Sequence, residues 1–189
     1  YTLDGSEPVP GSPKYNAPLP LPDGGIIKVR GFTDNYRRSG DPVTRRFDIC
    51  SAKWTVTGLS SGEGRFPPEN AIDGDPDTFW LYNWEEDADP PILTIDLGEA
   101  LNLKGFSYLP RKRPGESGTI LTYRCLVSLD GKKWTTVIKE GVFDNIRNNP
   151  ILQEIRFPRS RKARFLRFTP VEEIGGRMVV SAAEIEIIT

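Results

Sequence analysis

Hydrophobic residues recur at every second position along most of this chain, and that period excludes helical folds from the outset. "ILTIDLG", "LTYRCLVSLDGKKWTTVI", "ILQEIRF", "ARFLRFTP" and "SAAEIEIIT" all read as short strands with one face inward. In "SLDGKKW" the pair Asp130-Gly131 stands between two alternating runs, a strong hairpin signal. No amphipathic helix longer than a few turns is visible, although "PPENAI" (67–72) can form a single turn. The 18 glycines and 17 prolines mark many chain reversals. The pattern predicts an all-β sandwich.

Composition changes near residue 50. Residues 1–49 are rich in Pro and Gly with few strands, whereas residues 50–189 are denser in strands and carry all four tryptophans. Two units are therefore expected: a small incomplete Ig-like β-domain over 1–49, then a larger sandwich over 50–189 able to bury a proper core. The opening "YTLDGSEP" reads as mid-strand, which points to a fragment, and no signal peptide is visible. No apolar run approaches the roughly 20 residues that a membrane helix needs.

The net charge of −1 gives no whole-molecule field to attract nucleic acid. The one basic cluster, Arg156 to Phe168, alternates its charges with Phe157, Phe165 and Phe168, and reads as a solvated hairpin with "PRSRK" as its turn. Absence of histidine removes Ser-His and Cys-His catalysis and His-type zinc sites. Cys125 shares a strand face with Tyr123 and Val127 and is expected in the core. Cys50 lies at the expected domain edge, so a disulfide to Cys125 and two separate thiols both stay open.

"NAIDGDPDTFW" (70–80) invites a metal reading. Counted from Asp73 as an EF-hand loop, Asp75 and Asp77 fit positions 3 and 5, but Thr78 replaces the glycine at 6 and Trp84 the glutamate at 12. The EF-hand reading fails. The alternative to a metal is that the same aspartates only cap backbone amides in Asx-turns. "EEDAD" (85–89) does not form a glycosidase carboxylate pair, because consecutive loop positions fix no separation across a cleft.

Two resemblances organise these motifs. "YTLDGSEPVPGSPKY" with a later "GGIIKVRGF" resembles the small β-domain at the C-terminal side of chitobiase and β-hexosaminidase enzymes. "NAIDGDPDTFW", "ILTIDLGEALNLKGFSYLPRK", "YRCLVSLDGKKW", "ARFLRFTP" and "SAAEIEI" together resemble a coagulation-factor type (F5/8 type C) discoidin domain of the family 32 carbohydrate-binding branch. The resemblance implies a jelly-roll, discoidin-like β-sandwich of about eight strands. It also implies a structural calcium site, with side-chain ligands Asp73 and Glu184, hydroxyl and carbonyl from Thr78, and carbonyls from Asn70, Asp75 and Ala183. Such an all-oxygen set suits calcium.

The family places its sugar site on loops at one end of the sandwich. Carried over, Trp84 would be the aromatic platform, Arg111 of "LPR" the hydroxyl or carboxylate clamp and Glu116 the acceptor, with Tyr82, Asn83 and Arg113 as secondary candidates. Trp84 could instead be a lid over the core, and Arg111 could pair with Glu85, Glu86 or Asp87. Leu81 stands where the family's sugar binders commonly carry His, a departure from galactose-type recognition. Trp54, Trp80 and Trp134 are expected in the core.

The resemblance thus implies a non-catalytic carbohydrate-binding accessory region of a secreted or surface glycoside hydrolase of chitobiase or hexosaminidase type. Its expected partners are a galactose- or N-acetylhexosamine-containing glycan and a catalytic domain of the same polypeptide. A monomer is expected, with no nucleic-acid partner, no membrane insertion, and an extracellular, surface or periplasmic bacterial location. A structural spacer or a protein-binding discoidin domain is the alternative.

Overall fold

The computed structural model describes residues 1–19, 21, 25–33, 35, 39–47, 49, 51–58, 66–85, 88–112 and 117–189. The chain divides into two compact units, Tyr1–Cys50 and Ser51–Thr189. In the first, β1 (Gly25–Val29) and β2 (Val43–Phe47) pair antiparallel, from Gly25 opposite Phe47 to Val29 opposite Val43. Thr2 adds a bridge to Lys28, and the Lys28 ammonium meets Glu7 at 2.5 Å. Two strands cannot cover a hydrophobic face, and accordingly Val43 and Phe47 stay about half exposed, at 53% and 48%.

The second unit holds eight described strands: β3 (Thr55–Gly58), β4 (Trp80–Asn83), β5 (Leu93–Leu109), β6 (Ile120–Ser128), β7 (Thr135–Val142), β8 (Gln153–Glu173), β9 (Val179–Ala182) and β10 (Glu184–Ile188). The main sheet runs β10-β5-β8-β6-β7, with β3 also on β5, while β4 and β9 form a separate pair. Among the described residues helix is confined to short 3-10 turns at Ser51–Lys53 and Pro68–Ala71, the latter in the "PPENAI" segment. The fold is the expected all-β, discoidin-like sandwich.

One strand assignment is corrected. "ILQEIRF" and "ARFLRFTP" are not two strands of a hairpin turning at "PRSRK". They belong to one 21-residue strand, β8. The reason lies in its partner. β5 runs opposite for 17 residues, pairing Tyr108–Gly105 with Gln153–Arg156 and Leu103–Leu101 with Arg161–Ala163. Between Arg156 and Arg161 the register shifts, so β8 absorbs the extra residues as a bulge that tolerates Pro158 without reversing.

The far ends of β5 and β8 have different neighbours, which folds the sheet over a common core. β10 pairs with Gly105–Leu109 of β5, whereas β6 pairs with Phe165–Glu173 of β8. Phe106 of β5 sets its ring against Tyr123 and Phe168, both at 5.5 Å, and Phe143 stacks on Tyr123 at 4.3 Å and Tyr108 at 4.6 Å. Such ring pairs add to burial alone. Cys125 is a free thiol buried on the face of Tyr123 and Val127, and burial pushes its pKa up; Cys50 lies outside the described residues.

Trp54 and Trp80 are buried as expected. Trp134 is not; it is half-buried, with the Arg167 guanidinium 3.9 Å above its ring. The Asp130-Gly131 turn forms as predicted. Gly131 takes φ +70°, and the Asp130 carboxylate accepts the Lys132 and Lys133 amides, which lower its pKa to about 2.

Gly141 lies opposite Tyr123, and a Cβ there would sit 2.3 Å from the ring. The buried ring has no room to retreat, so Gly141→Ala is expected to destabilise the fold by about 1–3 kcal/mol in urea unfolding. Unchanged stability would show that the cluster can repack.

Candidate ligand and metal site

The loop between the Pro68–Ala71 turn and β4 is anchored at both ends: Ala71 and Ile72 are buried before it, Phe79 and Trp80 after it. Between these anchors the chain lies exposed and turns on its own side chains. Asp73 Oδ1 accepts the Asp75 amide at 2.9 Å, and Asp75 Oδ1 accepts the Asp77 amide at 3.0 Å. Gly74 supplies φ +80°. The Thr78 hydroxyl donates to Asp73 Oδ2 at 2.7 Å and also reaches the Asp75 carbonyl at 3.1 Å. Asn70 closes the base by donating its side-chain amide to the Phe79 carbonyl at 3.1 Å. Asx-turns are therefore present, but they do not use up the carboxylates.

The second carboxylate comes from more than 100 positions downstream. Glu184 opens β10, where it pairs with Leu109; the Ala183 amide donates to the same Leu109 carbonyl at 2.8 Å. Glu184 is buried against Asp73, and its Oε1 has no hydrogen-bond partner. Burial, then the hydrogen-bonded and charged Asp73 beside it, pushes the Glu184 pKa up to about 8. Two carboxylates facing one another with an unsatisfied buried oxygen leave a place for positive charge. Among the described residues no group of three or more His, Cys, Asp or Glu gathers anywhere, so any ion here must draw further ligands from hydroxyl and carbonyl oxygens.

Arg111 follows β5 and turns back on the protein. Its Nη2 donates to the Ser117 carbonyl, and its guanidinium lies 5.2 Å from the centroid of the Phe79 ring. Arg111 and Lys112 line a small cleft of about 200 Å³ with Pro76, Asp77, Thr78 and Phe79. Lys112 meets Asp77 at 3.0 Å, an exposed pair of small energetic weight. The structure thus joins the Asp73 loop to the arginine through Phe79, a link that no local sequence signal discloses.

Trp84 and Tyr82 are brought together, their rings stacked at 6.5 Å with 20° between planes. β4 positions both, through its pairing with β9, where Tyr82 faces Val180 and Asn83 faces Val179. The Trp84 amide donates to the Met178 carbonyl at 3.1 Å. Trp84 is half-buried, between the platform and lid extremes, while Asn83 is exposed. Leu81, half-buried, faces Ser181 of β9. Arg113, Glu116, Glu86 and Asp87 lie outside the described residues.

Sequence reasoning missed Glu173. This carboxylate, 2% exposed at the end of β8, accepts the backbone amides of Gly118, Gly175 and Arg177. The only available signal was its position before Gly175 and Gly176.

Comparison with known proteins adds the family. Residues 1–46 match the Fn3 associated family. Galactose oxidase of Gibberella zeae is 32% identical over 144 residues, covering 74% of this chain and 20% of that protein. The chain therefore spans about a fifth of the length of the curated relatives it matches. Among solved structures, CBM32-3 from a family 31 glycoside hydrolase of Clostridium perfringens superposes with TM-score 0.66 at 32% identity, covering 73% of this chain and 92% of the other. CpGH89CBM32-5 of the same organism, solved with GalNAc-β-1,3-galactose, gives TM-score 0.62 at 27% identity and covers 74% and 97%. The F5/8 type C domain model matches residues 51–185, from the start of the second unit into β10, and the chain belongs to that family.

Proposed function

We propose that the second unit is a non-catalytic carbohydrate-binding module of a larger secreted or surface carbohydrate-active enzyme. The observation that carries this reading is the stacked Tyr82–Trp84 pair, held by β4 on a sandwich related to glycan-binding modules. An aromatic surface offers a face for the C–H side of a sugar ring, and polar groups nearby fix the hydroxyls. The ligand class is a galactose- or N-acetylhexosamine-containing glycan, such as the one bound by CpGH89CBM32-5. A parent of chitobiase or β-hexosaminidase type is supported by the motif in residues 1–49. The module adds a second weak attachment that keeps its enzyme on the glycan.

Arg111 contributes differently from a free clamp. With its guanidinium over Phe79 and Nη2 on Ser117, it shapes the wall of the cleft. One observation favours the competing reading of a spacer or protein-binding domain: Leu81 offers no hydrogen bond where a polar ligand contact is expected.

A structural calcium ion is part of the proposal. Asp73 and Glu184 would supply carboxylates, Thr78 hydroxyl and carbonyl, and Asn70, Asp75 and Ala183 carbonyls. The ion would neutralise the facing carboxylates and hold the loop; with no histidine or acid–base pair beside it, the arrangement does not suit hydrolysis.

Two tests follow from this arrangement. In chelator, Glu184 keeps its proton in the folded chain up to about pH 8, against an ordinary value of 4.5. The folded state holds the extra proton, so this contribution to stability is full below about pH 4.5 and lost as pH rises to about 8. Thermal unfolding in chelator should show that decline. Saturating calcium should remove it, with about 2.7 kcal/mol gained at a hundredfold excess over Kd. Glu184→Gln should be at least as stable as wild type in chelator at pH 8 and should not respond to calcium. A wild-type melting temperature indifferent to millimolar calcium at pH 8 would rule the ion out.

On a glycan array in calcium, the chain should bind galactosides or N-acetylhexosaminides. Trp84→Ala should lose on the order of 2 kcal/mol, or about thirtyfold in affinity, as expected for a central aromatic anchor. A folded wild type that binds nothing on a broad array would hand the case to the spacer or protein-partner reading.

A further inference from the structure

Glu173 ends β8 at the same end of the sandwich as the loops of the candidate site, yet it points inward and is 2% exposed. A buried carboxylate is costly unless donors surround it. Three backbone amides do so. Gly118 donates to Oε1 at 3.1 Å, while Gly175 and Arg177 donate to Oε2 at 2.6 and 3.2 Å. The chain just after β8 wraps around its own terminal side chain, helped by φ +71° at Gly176, and forms a small anion-binding nest. A Cβ at Gly175 would lie 3.0 Å from Oε2, and one at Gly118 would lie 2.9 Å from the Ser181 hydroxyl. Both glycines let backbone approach where a side chain would intrude.

The three donors come from two separate segments, and each segment leads directly to a residue of the candidate site. Gly118 follows Ser117, whose carbonyl receives Arg111. Arg177 precedes Met178, whose carbonyl receives the Trp84 amide. Further buried bonds tie the segments into one block. The Gly118 carbonyl accepts the Ser181 amide at 2.7 Å and the Ser181 hydroxyl at 3.1 Å, and the Ile174 amide donates to Thr119 at 3.0 Å. The Tyr108 hydroxyl donates to the Ser181 carbonyl at 2.9 Å and accepts from Ile120 at 3.1 Å.

We propose that Glu173 is a positioning residue for ligand binding, its single carboxylate fixing the Ser117–Gly118 segment that receives Arg111 and the Gly175–Met178 segment that supports Trp84 in one mutual arrangement. Its role in affinity rests on the glycan-binding reading above; its role as the common anchor of the two loops does not. The chemistry is specific to a carboxylate. Three amides need acceptors on two oxygens, and glutamine offers one acceptor and one donor of nearly the same shape. Glu173→Gln must therefore set N–H against N–H at one loop.

The test pairs Glu173→Gln with Ser128→Ala, which removes a hydroxyl from the Asp130-Gly131 turn at the other end of β6 and serves as a control for simple destabilisation. Hydrogen exchange at the Gly118, Gly175 and Arg177 amides is read along with glycan affinity. Glu173→Gln should speed exchange at least tenfold at these amides and weaken glycan binding about tenfold. Ser128→Ala should leave both as in wild type whatever it does to the melting temperature. Unchanged exchange in Glu173→Gln, or equal loss of affinity in Ser128→Ala, overturns the proposal. If Glu173→Gln does not fold, wild-type exchange in graded denaturant decides: the Gly118 and Arg177 amides should open in one event, and separate openings overturn it. If wild type binds no glycan, the glycan reading fails by itself, and the exchange results alone settle the anchor.

Discussion

The antiparallel pairing of β5 with β8 is the contact on which the rest of the sandwich hangs. β10 and β3 attach to β5, β6 attaches to β8, and β7 reaches the sheet only through β6. The pairing is close at Gly105, where a Cβ would come within 2.0 Å of the Ile155 carbonyl. No side chain larger than hydrogen fits unless the backbones separate, so one glycine fixes how near the two longest strands lie. Their register shifts then let each strand serve different neighbours at its two ends, and the aromatic cluster around Phe106 fills the space enclosed.

The same strands gather the candidate site. β5 ends at Leu109, two residues before Arg111 and opposite Glu184 at the start of β10. β8 ends at Glu173, whose following turn leads to Met178 beneath Trp84. Side chains far apart in the chain therefore meet at one end of the sandwich because strand ends meet there. Loops are free to vary, but the positions from which they spring are not.

Two buried glutamates at that end show opposite electrostatic solutions. Glu173 is surrounded by backbone amides and is fully served by the protein. Glu184 has burial and a second carboxylate for company, and one of its oxygens finds no donor. The first arrangement is complete as a structural anchor. The second leaves a buried oxygen without a donor, and it is on this that the proposed ion rests.

Local chemistry made much of this legible in one dimension. Alternation located the strands; Asp130-Gly131 set a hairpin turn; the shared face of Tyr123, Cys125 and Val127 placed a buried thiol. Family motifs pointed to Asp73 and Glu184, which the fold does bring together. What sequence could not reveal depends on partners distant along the chain. Pro158 and its basic neighbours carry turn chemistry, and only the length of β5 opposite turns them into a bulge within one strand. Trp134 has the look of a core residue until Arg167 arrives across the sheet to cover it. Arg111 is expected as a clamp or a surface ion-pair partner, and Glu173 draws no notice; tertiary contacts give one a Phe79 ring and a Ser117 carbonyl, and the other three amides. Residue type and spacing determine which backbone states are open and which faces are apolar. Which polar group is buried, and what satisfies it, is decided only when strands remote in sequence close upon each other, because hydrogen bonding and desolvation depend on neighbours in space.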